Sequence, residues 1–144
     1  MGYQVKYNSV QWASTYGFKL SKKGIVGRDT LSPPRDDGYD WPASSDVPVS
    51  IGASVGMKRI IVSGRIYQAT HAALQTTLLT FVNALGVLRS ADEFLDLEFE
   101  DNTTIYWNAR VYDIKAEFIG STLTSKYAQV RVVFDCHQDY QLHP

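Results

Sequence analysis

Apolar positions along this chain follow two alternating periods. "KRIIVSGRIY", Lys58 to Tyr67, is β-branched and strand-like, with Gly64 a candidate bulge. From Thr70 the spacing changes: Leu74, Leu78, Phe81, Val82 and Leu85 recur every three or four residues, predicting an amphipathic helix capped by Thr70 and stopped by Gly86. The period then returns to two in "FLDLEFEDNTTIYWNARVYDI", a hairpin turning near "EDNTT". Its second strand places Ile105, Trp107, Ala109 and Val111 on one face, and the apolar set shifts phase to Ile114, Ala116 and Phe118, as a bulge near Tyr112 and Asp113 would produce. The last strand, "YAQVRVVFDC", turns Ala128, Val130, Val132, Phe134 and Cys136 inward. "YQVKY" and "GFKLSKK" near the amino terminus alternate similarly. Strands interrupted by one helix predict a mainly β (α+β) fold, an antiparallel sheet or sandwich with one flanking α-helix.

Residues 24–57 break this pattern. Four of the five prolines (Pro33, Pro34, Pro42 and Pro48) fall here among Gly, Ser and Asp, so the stretch cannot supply central strands throughout, although "VPVSIG" suits an edge strand. So long an excursion from a single 144-residue domain is either functional, as an arm toward a neighbouring subunit or a lid on its own domain, or disordered. Tyr39 and Trp41 favour the arm, because large aromatic side chains need apolar surface to rest against.

Charge adds two asymmetries to a formal net charge of -1, a balance without the basic excess of a dedicated nucleic-acid binder. Before position 36, Lys6, Lys19, Lys22, Lys23, Arg28 and Arg35 are offset only by Asp29. In the hairpin, Asp96, Glu98 and Glu100 share one strand face, with Asp92, Glu93 and Asp101 close by and no Lys or Arg between them. A row of like charges on a sheet repels itself and requires either compensation or a use.

Known chemistries do not claim these residues. "GASVGMK" lacks phosphate-loop spacing, and no serine sits in a nucleophile-elbow context. His71, His137 and His143 have no metal-ligand spacing, and the single Cys136 allows neither an intrachain disulfide nor a thiolate cluster. The acidic row stands at the roughly 7 Å spacing of a hydrolase pair, but any acidic strand face does so. The reading is a non-enzyme without metal or cofactor. "MGYQVKYNSV" has no signal-peptide core and "LLTFVNALGVL" is too short to span a bilayer, so a soluble protein is expected. Trp12, Tyr16 and Phe18 are core or interface anchors; with Lys22, Lys23, Arg28, Tyr39 and Trp41 they form the candidate subunit interface.

Taken together, "RIIVSGRIYQATHAALQTTLLTFVNAL", the acidic strand, the aromatic-rich "IYWNARVYDIKAEF" and the alternating "AQVRVVFDC" resemble the distal tail proteins of long-tailed bacteriophages, over about Lys58 to Asp139. The resemblance implies a tail-tube-type β-sandwich with a flanking helix. It also implies a hexameric ring of identical subunits in the virion, assembled in the host cytoplasm, joining the tail tube to the tip or baseplate hub. DNA would then be a transient passenger, and Asp96, Glu98 and Glu100 would be candidates for the channel wall, where negative charge keeps a polyanion from sticking. With its end at Pro144 the chain is expected to lack the carbohydrate-module-like second domain of some members. Tail-tube and tail-completion subunits share this fold, and a monomeric ligand- or nucleic-acid-binding β-domain is the alternative from another class.

Overall fold

The computed structural model describes residues 4–28, 34–36, 39–40, 49–50, 53–55, 58–120, 123–137 and 140–143. The body begins with β1 (Val5–Tyr7), β2 (Val10–Gln11), the short helix α1 (Trp12–Tyr16) and β3 (Phe18–Val26). The arm follows, with β4 (Pro34–Asp36), β5 (Tyr39–Asp40), β6 (Val49–Ser50) and β7 (Ala53–Val55). Then come β8 (Lys58–Tyr67), the long helix α2 (His71–Ala91), β9 (Leu95–Phe99), β10 (Ile105–Phe118), β11 (Tyr127–Cys136) and β12 (Gln141–Leu142). The main sheet runs β2-β1-β9-β10-β11-β8-β3, with β12 added to β10, and every described pair is antiparallel.

The sheet curls until its ends meet. Six strand spacings separate β2 from β3, about 29 Å if the sheet were flat. Yet Trp12, which follows β2 directly, meets Phe18 of β3 edge to face at 5.2 Å between ring centroids. The Leu20 backbone N–H also donates to Gln4 Oε1 at 2.7 Å, tying β3 to the start of β1. The expected sandwich layers are thus two halves of one continuous sheet. Trp12 touches Phe81 of α2 at 5.2 Å and Phe134 of β11 at 6.0 Å, so one indole joins both sheet ends to the helix. Burying rings of this size stabilises by about 1.5–3 kcal/mol each.

Local chemistry explains the breaks. Asn8 and Ser9 have φ of 52° and 66°, the left-handed pair that a two-residue hairpin loop requires between Tyr7 and Val10. In β3, four residues between Leu20 and Ile25 face a single residue, Ser63, of β8, and this bulge pushes Ser21, Lys22 and Lys23 into solvent. The phase shift expected near Tyr112 is present between Val111 and Asp113.

Three expectations are corrected. Gly64 is not a bulge, because pairing with β11 runs unbroken through it. Its role is close approach: a Cβ there would lie 2.5 Å from both the Phe18 ring and the Lys19 carbonyl. A second helix, α1, is present, ended by the left-handed Gly17. The long helix does not stop at Gly86 but continues to Ala91, with Asp92 left-handed and its N–H bonded to the Arg89 carbonyl. Its start matches expectation, with Thr70 Oγ1 accepting from the Ala73 N–H at 3.1 Å. At 21 residues α2 is long and apolar enough to match a membrane span. Its Leu74, Leu78, Phe81 and Leu85 stripe, however, is buried against the body.

Two predictions follow from the core. Nothing lies within 4 Å of a Cβ built on Gly86. Gly86→Ala therefore raises unfolding stability by about 0.5–1 kcal/mol in denaturant titration, as loss of backbone freedom in the unfolded chain dictates. Tyr7 is buried and donates its hydroxyl to the Ala109 carbonyl at 2.8 Å. Burial foremost, with Cys136 nearby, raises its pKa above the usual phenol value, and burial also raises Tyr16. A raised folded value means stability that is complete below the unfolded pKa and lost above it. The melting temperature should hold steady up to about pH 10 and fall beyond it, and the fall should be shallower in Tyr7→Phe.

Candidate assembly surfaces

The arm leaves the body through a constrained gate. At Gly27, φ is 89° and a Cβ would stand 2.3 Å from the Arg59 carbonyl, so only glycine fits the departing strand. The two roots are tied together where Lys58 Nζ donates to the Arg28 carbonyl at 2.7 Å. Arg28 in turn pairs with Asp101 at 2.9 Å and lies over the Phe99 ring at 5.1 Å. Beyond the roots, β4 pairs with β7 and β5 with β6 in two nested antiparallel ladders. Among the described residues neither ladder joins the main sheet. Pro34 opens its strand, a position that tolerates the missing N–H.

The expected interface residues divide. Trp12, Tyr16 and Phe18 are buried in their own chain's core, where Trp12 closes the sheet, so their rings are not available to a neighbour. Lys22 and Lys23 stand exposed on the β3 bulge, and Arg28 is at the arm's root. Tyr39 belongs to β5, and Trp41 lies outside the described residues.

The acidic row is compensated from elsewhere in the fold. Glu98 is 8% exposed and directly opposite Lys6 of β1, whose Nζ lies 3.1 Å from its carboxylate. His143 Nε2 reaches the other oxygen of Glu98, while its ring stacks on Tyr106 at 4.7 Å. Glu100 accepts from the Gln4 N–H at 2.9 Å, and Asp92 pairs with Arg110 at 2.8 Å. Asp96 and Glu100 remain exposed, Asp96 across from Asn108. No run of sequence shows this compensation, because Lys6, Arg28, Arg110 and His143 come from four separate segments.

The amino-terminal basic excess gathers in part on a second charged surface, with Arg65, Tyr67 and Tyr127 as members the sequence did not single out. Lys19 of β3 and Arg65 of β8 are direct cross-strand partners, two cations side by side. Both are exposed, and among the described residues neither pairs with a carboxylate. Beside them Tyr67 and Tyr127, each 48% exposed, pack at 4.8 Å between ring centroids. With Lys22, Leu20, Ser21 and Gly17 they line a groove of about 680 Å³. Alternation alone marks these side chains as outward, but only the strand register brings them together.

No protein-family profile and no curated protein matches the sequence. A solved structure does: that of SPP1 Dit (gp 19.1), titled a paradigm of the hub adsorption apparatus in phages infecting Gram-positive hosts, aligns over 92% of this chain with a TM-score of 0.61 and 17% identity. The chain has the Dit fold. It spans 49% of that structure's length. The structural likeness covers more of the chain than the stretch from Lys58 to Asp139 on which the sequence resemblance was read.

Within this Dit-like body the two exposed carboxylates and the buried one should behave differently. Glu98→Ala strands Lys6 and should cost about 1–3 kcal/mol, less than a fully buried pair because the Lys6 side chain is 27% exposed. Asp96→Ala should stay within about 0.5 kcal/mol of the parent. Urea unfolding of the two variants checks both values.

Proposed function

We propose that this chain is a structural subunit of a phage tail. Six copies close into a ring that joins the tail tube to the tip or baseplate, and DNA passes through the central channel without being bound. The observation that carries this reading is the Dit fold over 92% of the chain. The arm supports it: a ladder-forming excursion with tied roots whose ladders, among the described residues, do not join the main sheet has the form of a contact between subunits.

A ring subunit needs no reacting group. Its work is to hold shape under load and to present a wall that does not adhere to DNA. The curled sheet, cross-linked by its aromatic core, supplies the first. For the second we assign Asp96 and Glu100, the exposed members of the acidic row, to the channel side. Glu98 is withdrawn into its pair with Lys6 and serves the subunit instead. Negative charge at the wall repels phosphate within a Debye length, about 8–10 Å at physiological salt.

Mass photometry and negative-stain microscopy of the full chain at micromolar concentration test the ring. The expected result is a closed particle at six times the 16.2 kDa chain mass. A uniform single-chain mass with no particle under assembly conditions contradicts it. The channel assignment is tested separately in phage carrying Asp96→Lys with Glu100→Lys: rings should persist and DNA ejection should slow. Unchanged ejection from intact tails removes the channel role.

A further inference from the structure

The groove beside Lys19 and Arg65 carries a charge problem that the monomer does not solve. Several cations of the body have a carboxylate partner: Lys6 has Glu98, Arg28 has Asp101, Arg59 has Asp135 at 2.9 Å and Arg110 has Asp92. Lys115 and Arg131 form another exposed cationic pair across β10 and β11, but the Lys19 and Arg65 pair is the one that lines a groove with two tyrosines. Lys19 and Arg65 stand opposed across one strand pair, with Lys22 on the adjoining bulge and no carboxylate on any of the three among the described residues. Like charges directly opposite in a sheet are destabilising. The neighbouring Tyr67 and Tyr127 pair is half exposed, the combination of flat apolar surface and polar hydroxyl that is enriched where proteins meet.

The sequence contains a complementary segment. From Asp36 to Met57 the chain has four aspartates (Asp36, Asp37, Asp40 and Asp46), no Lys, no Arg, and a run of Val, Ile, Ala, Pro and aromatic residues. That segment is the outer arm. Its roots stand at the opposite end of β8 from the groove. β3 enters at Phe18, beside Ile66, and runs past Val26, beside Ile61, before the arm departs; the arm returns at Lys58. Lys58 and Tyr67 are at opposite ends of β8, a separation of about 30 Å, and the roots at Arg28 and Lys58 are tied together at the Lys58 end.

We infer that this groove is the receptor for the acidic outer arm of an adjacent copy, its cations meeting the arm's aspartates and its two tyrosines giving the arm's apolar residues a surface. This rests on the ring reading and specifies how the ring closes. The contact is head-to-tail: each copy offers one arm and one groove, so a closed cycle leaves neither unused. Because the attraction is between exposed charges, association should weaken as salt rises.

A charge-exchange experiment on the full chain tests it. Lys19→Glu with Arg65→Glu reverses the groove, and Asp36→Lys with Asp40→Lys reverses the arm. Each double variant alone should lose assembly, with its dissociation constant raised about tenfold or more, while its melting temperature as a monomer stays near the parent's. Mixed in equal amounts they should reassemble, because each reversed groove then meets a reversed arm and each parental groove a parental arm. Mass photometry reads all three samples. Rings that persist in both variants overturn the groove assignment and leave the ring reading standing. A parent that never assembles overturns the ring reading itself. Loss of assembly in both variants without rescue on mixing overturns the arm as the groove's occupant. A labelled single-stranded oligonucleotide is the remaining arm: binding by the parent that Lys19→Glu with Arg65→Glu abolishes while rings persist would reassign the groove to nucleic acid.

Discussion

Closure of the sheet around Trp12 is the constraint on which the rest depends. One indole, placed by a five-residue helix at the end of the β1–β2 hairpin, touches the far edge strand, the long helix and the last long strand. A flat seven-strand path would leave β3 an isolated edge with Phe18 in water. Curling buries that ring, fits it against a glycine that has no Cβ to obstruct it, and fixes the direction in which β3 delivers the chain to the arm. The arm's gate at Gly27, the bulge that lifts Lys22 and Lys23, and the groove at Lys19 and Arg65 all belong to this one strand and its neighbour. Edge geometry and assembly chemistry are therefore products of the same core contact.

The electrostatics then sort into two kinds. The acidic row that looks self-repelling along the chain is quiet in three dimensions, because antiparallel pairing sets Lys6 opposite Glu98 and the carboxyl-terminal segment brings His143 to the same carboxylate. The basic residues of β3, already an asymmetry in the sequence, have no carboxylate among the described residues where register places Arg65 beside Lys19, and the same holds for Lys115 beside Arg131. Compensated charge holds the subunit; uncompensated charge is available for association. The division also explains why replacing Glu98 and replacing Asp96 are different experiments, although the two residues lie two positions apart on one strand face.

Much of the body was legible because its elements are long and strongly patterned. The phase change around Tyr112 appears as read, and alternation holds from Ala128 to Val132, since burial on one face of a sheet leaves little choice of register; Val133 and Asp135, the latter read as outward, are buried as well, Asp135 paired with Arg59. Helix α2 was read from its apolar spacing, but its end was misplaced: glycine is a permissive stop, not an obligatory one, and Leu88 still packs against the core. Trp12, Tyr16 and Phe18 were read as possible anchors for a partner because nothing in "QWASTYGF" says that the sheet will curl to meet them. The groove was invisible for the same reason. Its residues come from three strands separated by tens of positions, and only their pairing makes them neighbours.

The most direct test is a density map of the assembled particle at side-chain resolution. The account predicts six copies around an open channel, each outer arm crossing to the next subunit and lying over its Tyr67 and Tyr127, with Lys19 and Arg65 against the arm's aspartates. An arm folded onto its own body, or a particle without a central pore, would contradict it.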